Sequence, residues 1–203
     1  MESNLKATAL ICTLSPSPKK SSSELMAKEL LDEMTSYGVE AEIFRIADFT
    51  IKFGVEKDMG DNDQWPEIRA SILDSDILVI ATPIWMGQPS SVTKMVLERL
   101  DAELSEQDDE GRPSMYGKVA AVAIVGNEDG AHHVSAEIFQ ALSDVGFTIP
   151  AGGPTYWVGE AMGSVDYQDL DDKPEKTVAT TKMLAANATH LAKLLKTANY
   201  PTS

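Results

Sequence analysis

Residues 14–24 have the composition of an anion-binding loop. They contain five serines, two prolines and two lysines, and they separate an apolar run from a segment with helical periodicity. The N–H groups at the start of a helix carry partial positive charge and serine hydroxyls add donors, so both favour a bound phosphate. Lys19 and Lys20 could assist phosphate binding through their positive charge. We therefore expect a phosphate site formed by the serines of this segment: Ser15, Ser17, Ser21, Ser22 and Ser23.

The same segment also fits an ordinary helix N-terminus. Ser21 and Glu24 match the S-x-x-E pattern of a capping box, which needs no ligand. A bound phosphate would require the Glu24 carboxylate to point away from it. Neither G-x-G-x-x-G nor G-x-x-x-x-G-K-[ST] is present here, which disfavours the NAD-type Rossmann site and the P-loop site.

Residues 82–91 form a second candidate segment, at the end of a strongly apolar run. Pro83 restricts the backbone, and Gly87 allows a ligand to approach it closely. Trp85 and Met86 are expected to lie outside the core, although Trp85 could instead cover the following helix. We expect this segment to line a flat aromatic cofactor through Pro83, Ile84, Trp85, Met86 and Gly87.

Residues 125–133 form a third candidate segment, again at the end of an apolar run. Its polar residues could hydrogen-bond the edge of a heterocycle. His132 and His133 are adjacent but lack H-x-x-x-H or H-E-x-x-H spacing, so we expect no metal site. Either histidine could approach the cofactor or cap a helix. The predicted cofactor-binding residues are Asn127, Glu128, Asp129 and Gly130.

Short apolar runs alternate with helical patterns along the chain, which predicts a parallel sheet with helices on both faces. Ligands of such sheets bind at the carboxyl ends of the strands, where all three candidate segments begin. Residues 151–173 are predicted to be a long loop, and residues 156–160 within it could line the site, form a subunit interface or pack locally. The predicted strands are 5–13, 39–46, 76–82, 118–125 and 146–149; the predicted helices are 22–37, 66–73, 89–104, 131–144 and one from about 174.

The three segments together resemble the flavin loops of flavodoxin-like NAD(P)H-dependent FMN reductases. Ser15 and Pro16 with the 21–23 serine cluster resemble the phosphate loop, and residues 82–87 resemble the T-P-x-Y-x-G loop beside the flavin. Residues 126–130 occupy the place of the third flavin loop. The resemblance covers nearly the whole chain in the order and length of its elements.

Some positions extend this pattern and others depart from it. Ser91 and Lys94 follow the second loop as they do in the family. Trp85 stands where tyrosine is commoner, and the usual basic residue of the phosphate loop is replaced near Ser17 and Pro18.

The resemblance implies a single flavodoxin-like domain over residues 1–203, with a doubly wound sheet of five parallel strands in the order 2-1-3-4-5. It also implies bound FMN, NAD(P)H as co-substrate, and transfer of hydride through the flavin to a quinone, a flavin or another small acceptor. Because the flavin supplies this chemistry, no catalytic side chain is expected. A homo-oligomer is implied by the resemblance alone.

Two other functions remain open. A flavodoxin-type electron carrier docks to protein redox partners, and an acidic surface would steer it toward basic ones. The length of 203 residues and the 151–173 loop favour a reductase over that carrier. A non-enzymatic α/β module that has lost its flavin is the third possibility.

Composition excludes several other classes of protein. There are 17 Lys and Arg residues against 32 Asp and Glu, and the resulting net charge of −15 disfavours nucleic acid and anionic membrane surfaces as partners. No apolar run is long enough to insert into a membrane. The single cysteine, Cys12, excludes a disulfide framework and is expected to be an inert residue of the first strand. Residues 1–4 do not resemble the start of a signal peptide, so a cytoplasmic protein is expected.

Overall fold

Six strands and five α-helices make up the fold in a computed structural model that describes residues 5–202. The expectation that residues 1–4 do not begin a signal peptide concerns residues that lie outside the described part of the chain. The strands are β1 (Leu5–Ile11), β2 (Val39–Arg45), β3 (Ile77–Trp85), β4 (Gln88–Pro89), β5 (Val119–Gly126) and β6 (Pro154–Val158). The α-helices are α1 (Ser22–Thr35), α2 (Trp65–Asp74), α3 (Ser91–Leu100), α4 (Ala131–Asp144) and α5 (Glu175–Thr197), and short 3₁₀ segments span Ile46–Asp48, Asp101–Ser105 and Tyr167–Asp169.

The sheet has the order β2-β1-β3-β5-β6, and these five strands are all parallel. The short β4 pairs only with β3, and it does so antiparallel. Counted without β4, the order is 2-1-3-4-5, so the predicted fold class is confirmed. The strand order reverses between β1 and β3, where a crevice opens in sheets of this kind.

Helices cover both faces of the sheet and bury two apolar clusters. On one face, α1 and α5 pack through residues such as Met26, Leu30 and Leu184. On the other face, α2, α3 and α4 contribute residues such as Ile68 and Ile138. Strands β3 and β5 are buried on both sides, which explains why their sequences are almost continuously apolar.

Strand β3 is longer than its sequence predicts. The predicted strand ends at Thr82, whereas the observed one continues to Trp85 because its end is paired on both sides. Pro83 lies beside Val125 of β5, and Trp85 pairs with Gln88 of β4. Ile84 is buried in the core, whereas Trp85 and Met86 are exposed, as expected from the sequence.

The position predicted for the last strand was wrong. Residues 146–149 were predicted as the fifth parallel strand, but within them only a bridge from Thr148 to Val119 forms. The strand that completes the sheet is β6, inside the predicted 151–173 loop. A Gly-Gly-Pro sequence at its start and its partial burial hid the strand, since both features are typical of loops.

A buried hydroxyl network joins the ends of β1 and β3 to the start of α3. The Ser90 hydroxyl donates to the carbonyl oxygen of Cys12 at 2.6 Å and accepts from the N–H of Thr93 at 3.1 Å. The Ser90 N–H donates to the Thr82 hydroxyl at 3.2 Å. Because Ser90 caps α3, the helix begins at Ser91 rather than at the predicted Pro89.

Among residues 5–202, no helix is both long enough and apolar enough to cross a membrane.

We predict that Cys12 does not react with a thiol reagent in the folded protein. Its side chain is fully buried, and burial raises the pKa of the thiol to about 12, so almost no thiolate exists near neutral pH. Ellman's reagent at pH 8 should detect no thiol in native protein and one per chain in urea, because the sequence has one cysteine. Rapid reaction without denaturant would contradict this placement.

Candidate functional site

The carboxyl ends of β1, β3 and β5 surround a cleft of about 540 Å³. The three candidate segments found in the sequence therefore do converge. Ten of the predicted site residues line the cleft: Ser15, Ser21, Ser22, Ser23, Pro83, Ile84, Trp85, Met86, Asn127 and Glu128. Four others do not: Ser17, Gly87, Asp129 and Gly130.

One end of the cleft is formed by the start of α1. The Ser21 hydroxyl caps the helix by accepting from the N–H of Glu24 at 3.3 Å. The N–H groups of Ser22 and Ser23 have no partner within the helix because they lie in its first turn. They and the adjacent hydroxyls are thus available to an anion in the cleft.

Glu24 does not compete with an anion at this end of the cleft. Its carboxylate is held by the Lys28 ammonium at 2.5 Å and by the Arg45 guanidinium at 3.2 Å. The requirement that Glu24 point away from the phosphate site is therefore met. Lys19 and Lys20 line the cleft and are exposed, so the local charge is positive in a protein that is acidic as a whole.

Arg45 lies beneath the phosphate loop, where sequence reasoning did not place a basic residue. It comes from the end of β2, and its Nε donates to the carbonyl oxygen of Ser15 at 2.8 Å. The side chain is only 6% exposed. The sequence does show a basic residue at the end of an apolar stretch of β2, which is unusual. It does not show that this residue contacts Ser15, which lies 30 residues earlier in the chain.

Ser17 is turned away from the cleft. Its N–H and hydroxyl both donate to the carboxylate of Asp48, at 2.6 Å and 2.7 Å. These hydrogen bonds hold the pKa of Asp48 below its usual value. The prediction that Ser17 contacts the phosphate is therefore not supported by its position; it fixes the outer side of the loop instead.

The middle of the cleft has aromatic and thioether walls. Trp85 is 54% exposed and Met86 is 88% exposed at the tip of the β3–β4 hairpin. Met162 also lines the cleft, as does the ring pair of Trp157 and Tyr167, whose centroids are 5.6 Å apart. The placement of Trp85 in the cleft wall favours ligand contact over the alternative of covering α3.

The hairpin tip has the geometry of a type I′ turn. Met86 and Gly87 both have positive φ, at 55° and 71°. The N–H of Met86 donates to Glu128 Oε1 at 2.7 Å, which ties the tip to the third loop. Gly87 therefore shapes the turn that presents Trp85 and Met86 rather than lining the cleft itself.

Asp129 and Gly130 also position the loops. Gly130 has a φ of +132°, and a Cβ added there would lie 2.9 Å from the Cα of Gly87. The Asp129 carboxylate accepts from the N–H of Gly130 at 2.7 Å. The two loops thus meet backbone to backbone, which is why a glycine is needed at Gly130.

Neither histidine of the third segment lines the cleft. The His132 ring packs edge-on against Tyr156, with centroids 5.3 Å apart. His133 lies 2.9 Å from the Gln88 amide and 2.8 Å from Glu137. Over the part of the chain that the structure describes, no group of three or more His, Cys, Asp or Glu side chains could hold a metal ion.

The remaining wall comes from residues 166–168, which belong to the predicted 151–173 loop. Tyr167 is buried, and its hydroxyl donates to Glu29 at 2.5 Å. Burial and the Glu29 carboxylate both raise the pKa of Tyr167. Beside it, the N–H of Gln168 donates to the Ser22 hydroxyl at 3.2 Å. The sequence feature that could have indicated this contact with α1 is an aromatic residue, Tyr167, within an acidic segment.

Two buried acceptors on the cleft wall have no partner within residues 5–202. They are Asn127 Oδ1 and Gln168 Oε1. A buried polar atom without a partner costs free energy, so each calls for an N–H or O–H from a bound molecule or water. The Asn127 amide nitrogen is already oriented by Asp166 at 3.1 Å. The cleft therefore suits a ligand with an anionic end, hydroxyl or N–H donors and a flat ring.

Comparison with known proteins identifies relatives over nearly the whole chain. The profile of the family described as NADPH-dependent FMN reductase matches residues 7–163. The 8-demethyl-8-aminoriboflavin-5′-phosphate synthase of Streptomyces davaonensis is 32% identical over 98% of this chain and 81% of that protein. The divalent metal cation transporter MntH of Mycobacterium bovis is 34% identical over 98% of this chain, which spans only 30% of that protein's length.

The fold is likewise similar to a solved flavin-binding protein. The crystal structure of RosB, with the bound intermediate 8-demethyl-8-formylriboflavin-5′-phosphate, superposes with a TM-score of 0.89 at 32% identity. The superposition covers 97% of this chain and 82% of that one. The family resemblance inferred from the sequence and the expected association with FMN and NAD(P)H are confirmed by these matches.

We predict that Gly130→Ala destabilises the protein by about 2 kcal/mol, because a Cβ would strike the Gly87 backbone and the φ suits only glycine. Urea unfolding monitored by circular dichroism measures the change. Gly111→Ala is the matched control: its φ is +79°, but nothing lies within 4 Å of the added Cβ. It should cost about 1 kcal/mol, from strain alone. Equal losses in both variants would show that the contact between the loops is unimportant.

Proposed function

Because the chain belongs to the NADPH-dependent FMN reductase family, we propose that it is an FMN-binding oxidoreductase that uses NAD(P)H to reduce a small acceptor. The observation that carries this proposal is that one cleft is lined both by the start of α1, whose first N–H groups have no partner within the helix, and by the aromatic rings of Trp85 and Trp157. This is a phosphate site and a ring site in one cavity of suitable size for a mononucleotide.

The phosphate of FMN would be held at the start of α1. Ser21, Ser22 and Ser23 supply hydroxyls, and the helix supplies N–H groups with partial positive charge. Lys19 and Lys20 add positive charge at the open side of the same end. Ser15 holds the loop in place, since its carbonyl oxygen is fixed by Arg45.

The ring system of FMN would lie between the hairpin tip and β6. Trp85 and Met86 form one wall, and Trp157 forms part of the other. The unpartnered oxygens of Asn127 and Gln168 are available to N–H and O–H donors, which a flavin ring and its ribityl chain both carry. The residues present therefore fit FMN in shape, charge and hydrogen-bonding capacity.

The protein side chains bind and orient FMN, and they are assigned no covalent role in the reaction. When bound, FMN supplies reversible two-electron chemistry between NAD(P)H and a second substrate. The Glu128 carboxylate fixes the Met86 N–H and so holds the hairpin tip against the cleft. The large exposure of Met86 leaves an apolar surface at the mouth, where a small planar acceptor could pack.

A flavin-modifying enzyme is a second candidate. The observation favouring it is the TM-score of 0.89 and 32% identity with RosB, whose structure holds a riboflavin phosphate as a reaction intermediate. In this case the flavin in the cleft would itself be the substrate. Mass spectrometry of the flavin recovered after turnover distinguishes the candidates, since a reductase returns FMN at unchanged mass.

The organisation of residues 1–203 as a single domain and the formation of a homo-oligomer remain predictions from the sequence.

We predict that replacing Ser21, Ser22 and Ser23 together with alanine weakens FMN binding at least about 30-fold. Hydroxyl hydrogen bonds to a dianionic phosphate are charge-assisted, and several are lost at once. Titration of FMN fluorescence measures the dissociation constant. Ser17→Ala is the matched control, because Ser17 is bonded to Asp48 outside the cleft, and it should weaken FMN binding far less than the triple replacement does. Equal affinities in both variants would contradict the phosphate assignment.

We also predict steady-state oxidation of NAD(P)H by the FMN-loaded protein when a quinone or free FMN is supplied. A reductase turns over many equivalents of NAD(P)H, whereas a flavodoxin-type carrier needs a protein partner to be reduced. Absorbance at the nicotinamide band follows the reaction. FMN binding without turnover on any small acceptor would favour the carrier.

A further inference from the structure

A second pocket, here called the basic pocket, lies beside the phosphate loop. Its volume of about 530 Å³ nearly equals the 540 Å³ of the flavin cleft. The residues that line both cavities form the junction between them: Lys19, Lys20, Ser21 and Gln168. One ligand can therefore extend from the cleft into the basic pocket. The proposed binding of FMN fills only the first of these two cavities.

The basic pocket is positively charged in a protein that is acidic as a whole. Its cationic lining residues are Lys19, Lys20, Lys28 and Arg45. Among the described residues, Glu24 is the one acidic residue that lines it. The Glu24 carboxylate is already shared between Lys28 and Arg45. The pocket therefore keeps an excess of positive charge, although the chain has a net charge of −15.

Arg45 lines the basic pocket and has a guanidinium nitrogen without a partner. Its Nε donates to the Ser15 carbonyl and its Nη1 donates to Glu24, but its Nη2 is buried and unpaired among the described residues. The side chain is 6% exposed, so bulk water does not satisfy this nitrogen. A guanidinium nitrogen in this state suits an oxygen of a carboxylate or phosphate.

Gln168 adds an unpaired acceptor at the junction of the two cavities. Its side-chain Oε1 is buried and has no partner within the part of the chain that the structure describes. Its N–H donates to the Ser22 hydroxyl at 3.2 Å, which fixes its backbone against the start of α1. A buried oxygen of this kind requires an O–H or N–H donor. A ligand that satisfies both Arg45 and Gln168 therefore carries an anionic group and hydroxyl groups.

We propose that the basic pocket binds the AMP half of FAD, so that the chain takes a dinucleotide flavin as well as FMN. This inference rests on the proposed function, which places a flavin in the cleft. FAD consists of FMN joined through its phosphate to AMP, so its two mononucleotide halves match the two adjoining cavities.

Each part of the AMP half has a matching group in the basic pocket. The second phosphate would meet Arg45 Nη2 and the Lys28 ammonium. The ribityl and ribose hydroxyls lie on either side of the two phosphates, so both are donors that can serve Gln168 at the junction. Pro18 and Leu25 line the same pocket and offer apolar surface to the adenine ring.

The affinities of the purified chain for FMN and for FAD test this assignment, and calorimetry measures both without turnover. Joining AMP to FMN turns the phosphate dianion into a diester with a single charge, which weakens its attraction to the start of α1. We expect the contacts in the basic pocket to offset this loss, so FAD should bind at least as tightly as FMN. Weaker binding of FAD than of FMN would overturn the proposal.

Lys28→Gln should raise the dissociation constant of FAD, divided by that of FMN, about 3-fold or more, because it removes a charge beside the second phosphate. The ratio is the informative quantity, since an effect on the FMN half enters both constants. Lys57→Gln is the matched control. Lys57 is 50% exposed and bonded to Glu106, much as Lys28 is 52% exposed and bonded to Glu24, but it does not line the pocket. Equal ratios in the two variants would overturn the proposal.

ADP and inorganic pyrophosphate separate a nucleotide site from a site for phosphate groups alone. ADP should bind at least as tightly as pyrophosphate despite its lower charge, because its ribose and adenine add contacts in the basic pocket. Tighter binding of pyrophosphate would show that the pocket binds phosphate groups alone, and the assignment to FAD would be overturned.

The failure of this inference can be told apart from the failure of the proposed function. If FMN binds and NAD(P)H is oxidised while FAD binds more weakly than FMN, the inference fails and the proposed function stands. If neither flavin binds, both fail.

Discussion

The N–H groups at the start of α1 cannot be paired within the helix, and the surrounding structure is organised by that constraint. Ser21 caps one of them, and those of Ser22 and Ser23 are left facing the cleft. Glu24 would repel an anion there, but Lys28 and Arg45 hold its carboxylate elsewhere. Acidic residues dominate the chain as a whole, so this arrangement creates a local positive potential that net charge alone conceals.

The ring end of the cleft depends on backbone contacts more than on side chains. Gly87 and Gly130 allow the hairpin tip and the third loop to meet, and Glu128 joins them through the Met86 N–H. Beneath them, the Ser90 hydroxyl ties β1 to α3. These contacts restrain the hairpin tip and the third loop before a ligand binds, and such preorganisation lowers the entropic cost of binding.

Local sequence patterns predicted most of the fold and all three segments at the strand ends that line the cleft, for physical reasons that differ by element. Strands β3 and β5 are buried on both faces and therefore show as continuous apolar runs. The half-buried β6 shows no such run and was missed. Arg45 and Gln168 reach the site through contacts between segments distant in the chain, and no local pattern encodes them. Gly87 and Gly130 were identified as important, but as ligand contacts rather than as the point where two loops touch.

The most direct test of the central claim compares the affinities of the purified chain for FMN and for riboflavin, which lacks the phosphate. If the start of α1 binds a phosphate dianion through several charge-assisted hydrogen bonds, FMN should bind at least about 100-fold more tightly than riboflavin. Fluorescence titration under the same buffer and salt conditions gives both dissociation constants. Equal affinities, or no binding of FMN at all, would contradict the assignment of the cleft.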